Sequence, residues 1–339
     1  MTIILGGTGI FLLVLLILSG WLWSYAYQPS SSADTDTVVL IPKGSGARQI
    51  QSILAEHGIV SDDRRFIVLA WLTDKAGRLR AGEYLVPPGQ TPLQILRLLE
   101  QGNVIRHRVT IPEGKSVRQI AAILENGKWV DASRFLALTR DPDFIKKFGF
   151  NLESMEGYLF PDTYTLTRGS VSEEDLIAMM VDRFSDIWKK AEKDLPAGLT
   201  RHQVITLASI VEKETGTDAE RPLIARVFLN RLERKMRLQS DPTVIYGIDD
   251  FDGNLTRADL QHPTLYNTYS IKGLPPGPIC NPGADSILAV LHPADVPYLY
   301  FVSKNDGTHQ FSTNLREHNQ AVRKYQVPRI KPAGSAKQP

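Results

Sequence analysis

Leu207-Ala208-Ser209-Ile210-Val211-Glu212-Lys213-Glu214-Thr215-Gly216 is a helical pattern that runs into its own end, with two carboxylates in the last turn and a glycine that breaks it. The helix is expected to begin at Arg201. Val204, Leu207, Ile210 and Val211 then fall at helical spacing and mark one buried face. Glu214 lies on the edge of that face, one turn beyond Ile210 and Val211, whereas Glu212 points to the opposite flank beside Ala208 and Ile205. A carboxyl held against apolar neighbours has its ionised form destabilised, so it can keep a proton near neutral pH and donate it to a leaving oxygen. Periodicity alone separates Glu212 from Glu214 only weakly, and a solvated Glu-Lys-Glu helix end is the competing interpretation.

Outward from this helix the chain reads as mixed but mainly helical. Helical patterns cover Ser133 to Lys147, Ser172 to Asp194 and Ala219 to Lys235. Gln239 to Pro282 is dense in Pro, Gly, Asn, Asp and Tyr, which is loop chemistry, and loops on a helical scaffold are where binding residues gather. Tyr298 to Ser303 and Thr308 to Ser312 read as a hairpin around Asn305-Asp306-Gly307.

Upstream lies an internal repeat. Val38-Val39-Leu40-Ile41-Pro42-Lys43-Gly44 with Arg48-Gln49-Ile50 recurs as Val109-Thr110-Ile111-Pro112-Glu113-Gly114 with Arg118-Gln119-Ile120. Tyr84-Leu85-Val86-Pro87-Pro88-Gly89 with Gln94-Ile95 is a weaker third copy. Each reads as a short strand, a Pro/Gly turn and a helix. The stretch from Gly82-Glu83-Tyr84 to Gly89-Gln90-Thr91 and Ile95 resembles the LysM glycan-binding module.

At the N-terminus the run from Ile3 to Leu22 carries no charge and is long enough to cross roughly 30 Å of hydrocarbon as a helix. Trp21, Trp23, Tyr25 and Tyr27 follow, as at a headgroup boundary. An uncleaved single-pass transmembrane anchor is therefore expected over residues 1–27. A tether at 28–37, a LysM-like module at 38–105, a catalytic domain at 106–327 and a flexible tail at 328–339 complete the expected division. The expected fold class is α+β: transmembrane helix, small LysM-like α/β module, and a mainly helical domain with a small sheet.

Several chemistries find no support. Thirty-nine basic against 37 acidic side chains leave a net charge of +2, with no basic run suited to nucleic acid. Seven scattered histidines form no HExxH motif and no Cys/His ladder, so no metal is expected, and no GxSxG elbow occurs. Gly114-Lys115-Ser116 mimics the end of a phosphate loop, but Val109 stands where its first glycine is required. The single cysteine, Cys280, excludes an internal disulfide.

A wider set of motifs carries a resemblance. Ala208 to Thr215, Val227-Phe228-Leu229-Asn230-Arg231-Leu232, and Met236 to Gly247 with its Gln239-Ser240-Asp241-Pro242 core look like the endolytic murein transglycosylase family. So do Glu156-Gly157-Tyr158-Leu159-Phe160-Pro161, Tyr266-Asn267-Thr268-Tyr269, Gly273 to Ile279, Pro282 to Ser286, and His292-Pro293 with Tyr298 to Val302.

The resemblance implies an enzyme without a cofactor that cuts the bond between N-acetylmuramic acid and N-acetylglucosamine in nascent peptidoglycan strands. Glu214, followed by the small hydroxyl residue Thr215, takes the role of general acid and base, leaving 1,6-anhydro ends and stopping elongation. Glu156, Tyr158, Gln239, Asp241, Tyr246, Asn267 and Tyr269 are expected to line the substrate cleft. For Glu156 and Asp241 the rival role is a loop-stabilising carboxylate. The implied location is the cell inner membrane, with the catalytic part facing the wall; the implied partners are glycan strands, the membrane and peptidoglycan synthases. A hydrolase of the same bond, using Asp241 or Glu156 as base, and a non-catalytic wall-binding scaffold are the alternatives.

Overall fold

The protein is described from a computed structural model covering residues 2–29 and 35–326, with side chains from Phe11 onward. The chain divides into two compact units, Met1–Val109 with Tyr164–Ser172, and Thr110–Thr163 with Glu173–Pro339.

In the first unit, strand Thr37–Ile41 leads through helices Ala47–Glu56 and Arg65–Leu72 to strand Gly82–Val86, which pairs antiparallel with it from Thr37 opposite Val86 to Ile41 opposite Gly82. Helix Pro92–Gln101 follows, opened by a reciprocal cap between Thr91 and Gln94 and closed by left-handed Gly102. Alternation along both strands turns Val39, Ile41, Tyr84 and Val86 inward. They meet Ile50, Leu54, Phe66, Ile95, Leu96 and Leu99 in one core. Two copies of the internal repeat thus become paired strands, each with its own helix. The copy at Val109–Ile120 is divided: its strand, His107–Thr110, falls mainly in the first unit and its helix, Val117–Asn126, in the second.

The N-terminal segment corrects one expectation. It forms helix Thr2–Tyr27, yet among the described residues no helix is long and apolar enough to cross a membrane. The expected span began at Ile3, and side chains up to Ile10 lie outside the described residues. The end of the helix is committed to protein packing: Tyr25 and Ala26 are buried in the core of the first unit. The Arg65 guanidinium lies 4.5 Å from the centre of the Tyr25 ring and 5.2 Å from that of Trp21. A cation seated on these rings suits a folded surface better than a hydrocarbon boundary. Residues 30–34, half of the tether at 28–37, and all of the tail at 328–339 also lie outside the described residues.

In the second unit, helix Arg201–Glu214 is the centrepiece. Thr200 and Gln203 cap its start reciprocally, and Val204 through Val211 are all buried, so the helix is enclosed on every side rather than amphipathic. Helices Arg221–Glu233 and Ala284–Leu291 pack against it, and Glu173–Ala191 packs on the latter. The pattern expected as one helix from Ser133 to Lys147 is two, Ala132–Leu138 and Pro142–Lys146. Pro142 cannot continue a helix and restarts one under the Asp141 cap. The loop-rich region holds two short helices, Asp241–Tyr246 and Arg257–Gln261, and the hairpin is Tyr300–Ser303 with His309–Ser312.

Candidate active site

Glu214 ends its helix half-buried, and its Oε1 accepts a 2.7 Å hydrogen bond from the Ser240 hydroxyl. Its Oε2 has no hydrogen-bond partner among the described residues. Burial pushes the Glu214 carboxyl above the usual glutamate range, and Asp241 pushes the same way. The Ser240 bond, His309 and Arg231 act in the opposite direction. With Oε1 engaged as an acceptor, the proton of the neutral acid is left to Oε2.

Ser240 is itself fixed. Its amide donates to Thr268 Oγ1 at 2.9 Å, its carbonyl accepts from Thr243 Oγ1 at 2.6 Å, and the two threonine hydroxyls are 2.8 Å apart. Arg231 is buried behind the cluster and donates to the carbonyls of Leu299 at 2.7 Å and Leu238 at 2.7 Å. It forms no ion pair among the described residues, so its charge is available to offset an ionised Glu214. His309 is held at Nδ1 by Glu220, 2.7 Å away.

Gly216 lets the hairpin come close: a Cβ there would stand 2.5 Å from the carbonyl oxygen of Gly307. Gly216→Val is expected to displace the hairpin turn and destabilise the second unit by about 1–3 kcal/mol. Denaturant titration monitored near the hairpin checks this. An unchanged midpoint would mean that the turn is not seated on the helix end.

The other carboxylate of the pair, Glu212, has a structural task. Its Oε2 accepts from the Gly283 amide at 3.2 Å and from the Ser286 hydroxyl at 2.7 Å, capping helix Ala284–Leu291.

Of the residues expected to line a cleft, Asp241 and Tyr269 join the Glu214 cluster, with the Tyr269 hydroxyl donating to Asp241 Oδ1 at 2.6 Å. Gln239 is exposed beside them, with a left-handed backbone at φ 52°. Glu156 and Tyr246 form a second group. The Tyr246 hydroxyl donates to Glu156 Oε2 at 3.1 Å, and both residues line a cavity of about 730 Å³ together with Tyr266 and Lys213.

Glu156 is 5% exposed, and its oxygens also accept from the Val117 amide at 3.0 and 3.2 Å and from Asn281 at 3.1 Å. Burial lifts its pKa to about 7 against these donors. Tyr158 is a core residue whose hydroxyl meets His202 Nδ1 at 2.9 Å. Asn267 is fully buried and donates to the carbonyls of Leu260 at 3.1 Å and His262 at 2.7 Å, closing the loop around helix Arg257–Gln261. Neither is among the residues that line the cavity.

Sequence reasoning missed Ser240, Arg231, His309 and Asn281. Ser240 and Arg231 stand inside motifs quoted for other members. Asn281, whose side chain accepts from the Leu159 amide at 2.8 Å and donates to Glu156 and to the Lys115 carbonyl, gives no local signal.

Ser240→Ala is expected to lower turnover about tenfold, because Oε1 loses its anchor. The same change removes an influence that favours the carboxylate, so the alkaline limb of the pH–rate profile should move up. A profile shifted down, or unmoved, would remove Ser240 from this role.

The sequence profile of the YceG-like family matches residues 39–324 of this chain. The endolytic murein transglycosylase of Bacillus subtilis (strain 168) is 33% identical, over 88% of this chain and 87% of its own length. That of Streptococcus pneumoniae serotype 2 is 30% identical over 92% of this chain, which spans 64% of the streptococcal protein. A crystal structure of a YceG-like protein from Listeria monocytogenes aligns at a TM-score of 0.59 and 33% identity, covering 85% of this chain and 99% of that one.

Proposed function

The chain belongs to the YceG-like family, and from that premise we propose that it is an endolytic murein transglycosylase acting through Glu214. The observation that carries this is the Glu214 carboxyl, held above the usual glutamate range by burial, with one oxygen anchored by Ser240 and the other without a hydrogen-bond partner among the described residues. A glycosidase of the common kind needs two flanking carboxylates. A lytic transglycosylase works with one. Neutral Glu214 protonates the glycosidic oxygen between N-acetylmuramic acid and N-acetylglucosamine. The resulting carboxylate, offset by Arg231, then takes the proton of the muramyl C6 hydroxyl, which closes a 1,6-anhydro ring on the anomeric carbon. Intramolecular attack supplies the nucleophile at high effective concentration, so no second protein group is required.

Nascent strands are the substrate, and internal cutting ends their elongation. The catalytic unit faces the wall, and peptidoglycan synthases are its neighbours. No cofactor is needed.

One observation favours a second reading: Asp241, close enough for its charge to act on Glu214, is a second carboxylate of the same cluster, held by Tyr269. Incubating the full chain with uncrosslinked strands and identifying product ends by mass spectrometry decides between them. Internal 1,6-anhydro ends are expected; reducing ends would replace the reading with a hydrolase.

A further inference from the structure

The cavity beside the Glu214 cluster contains more than a glycan chain uses. Its wall joins Lys213, the residue before the acid, to Tyr246, which ends the short helix whose first residue is Asp241. Five helical steps of about 1.5 Å put Tyr246 about 8 Å along from the Asp241 end, and the cavity runs back along the helix to Pro242. Tyr246 and Tyr266 stand 4.8 Å apart within it, and Ile279 and Leu136 add apolar wall.

Charge is the distinguishing feature. Arg118 is neutralised by Asp249 at 2.9 Å, but Arg140 and Lys213 have no ion pair among the described residues. Among the described residues, Lys213 donates a hydrogen bond to the Gly114 carbonyl, at 3.5 Å. Glu153 is the acidic group left at the mouth, and Glu156, at the wall, has its oxygens committed to internal donors. Arg140, whose charge also acts on the buried Glu156, and Lys213 are thus two cations without an ion pair among the described residues, over an apolar, hydroxyl-bearing wall, which is more charge than a neutral sugar ring calls for. They match a carboxylate on a short peptide with small apolar side chains. The muramyl residue on which Glu214 is proposed to act carries such a peptide, on the lactyl group of the same sugar ring.

We propose that this cavity is a carboxylate-reading subsite for the peptide stem of the muramyl residue. Arg140 and Lys213 meet a stem carboxylate, and Tyr246, Tyr266 and Ile279 cover its alanyl part. The proposal rests on the reading of Glu214 as a murein-cutting acid, and it makes the enzyme selective for strands whose stems are still in place.

The test uses the full chain and two probes that contain no bond to cut, muramyl dipeptide and its carboxyl methyl ester, titrated by calorimetry. The free acid is expected to bind about tenfold more tightly than the ester, as one charge-assisted contact would give. Arg140→Glu should bring the acid down to the ester and leave ester binding unchanged; Arg140 is exposed and its replacement leaves the core intact. In the cleavage assay Arg140→Glu should lower kcat/KM about tenfold on stem-bearing strands and not on strands stripped of stems, for the same lost contact.

Equal binding of acid and ester, an equal loss on both, or no binding of either probe overturns the subsite. Acid-selective binding by a protein that cuts neither strand would leave the subsite standing and overturn the enzymatic reading.

Discussion

Glu214→Gln is expected to abolish strand cleavage, by about a thousandfold or more, while the protein becomes no less stable. General acid–base catalysis by one positioned group is worth about 10²–10⁴-fold, and here a single carboxyl serves both proton transfers. The amide keeps an oxygen for the Ser240 hydroxyl, so the local geometry survives. Burial raises the folded pKa of Glu214 above its unfolded value, so its favourable contribution is complete below the ordinary glutamate pKa. It is lost as pH rises through the folded value. The glutamine variant carries no such loss, so the stability difference should move in its favour with rising pH, as expected where a site is strained for function.

Glu212→Gln is the matched control. Its side-chain oxygen can still accept from Gly283 and Ser286, and cleavage should stay within about threefold of wild type, a small effect beside a lost general acid. Product analysis by mass spectrometry beside denaturant titrations at pH 5 and pH 8 reads both arms. Residual cleavage in Glu214→Gln with loss in Glu212→Gln would exchange the two assignments.

The sequence resolved what repeats or has a period. Helix Arg201–Glu214 was legible from its apolar spacing and its terminal Gly216, and the strand–turn–helix copies from their shared Pro/Gly turns. What it could not resolve was which polar residues face each other across long separations. Glu156, Asn281 and Val117 meet from three distant parts of the chain, and Asn281 has the same local surroundings as any loop asparagine. The family resemblance puts Tyr158 and Asn267 in the cleft. Both are buried because their polar ends find internal partners, His202 for one and backbone carbonyls for the other. The N-terminal run misled by composition. Uninterrupted apolarity fits a bilayer, but Arg65 and the core of the first unit claim the end of that helix.

Removing the Glu156 carboxyl should show how the second unit is held together. Its oxygens receive the Val117 amide, the Asn281 amide group and the Tyr246 hydroxyl, so Glu156→Leu leaves three donors without their acceptor at a buried point. At about 1–3 kcal/mol for each fully buried donor, and less for the half-buried tyrosine, a loss of about 3–5 kcal/mol is expected. Glu156→Gln should behave differently. Its oxygen can serve Val117 and Asn281 while its amide donates to the Tyr246 oxygen, so the network survives with its proton question removed.

In the wild type, burial outweighs these donors and holds the pKa at about 7 against 4.5 for an unperturbed glutamate. The folded state therefore keeps a proton that the unfolded chain releases. This contribution is complete below about pH 4.5 and declines by about 1.4 kcal/mol per pH unit until about pH 7, roughly 3 kcal/mol in all. Urea titrations across pH 4.5–8 should show that decline in the wild type and a flatter profile in Glu156→Gln. Parallel profiles would mean that the donors hold Glu156 ionised throughout.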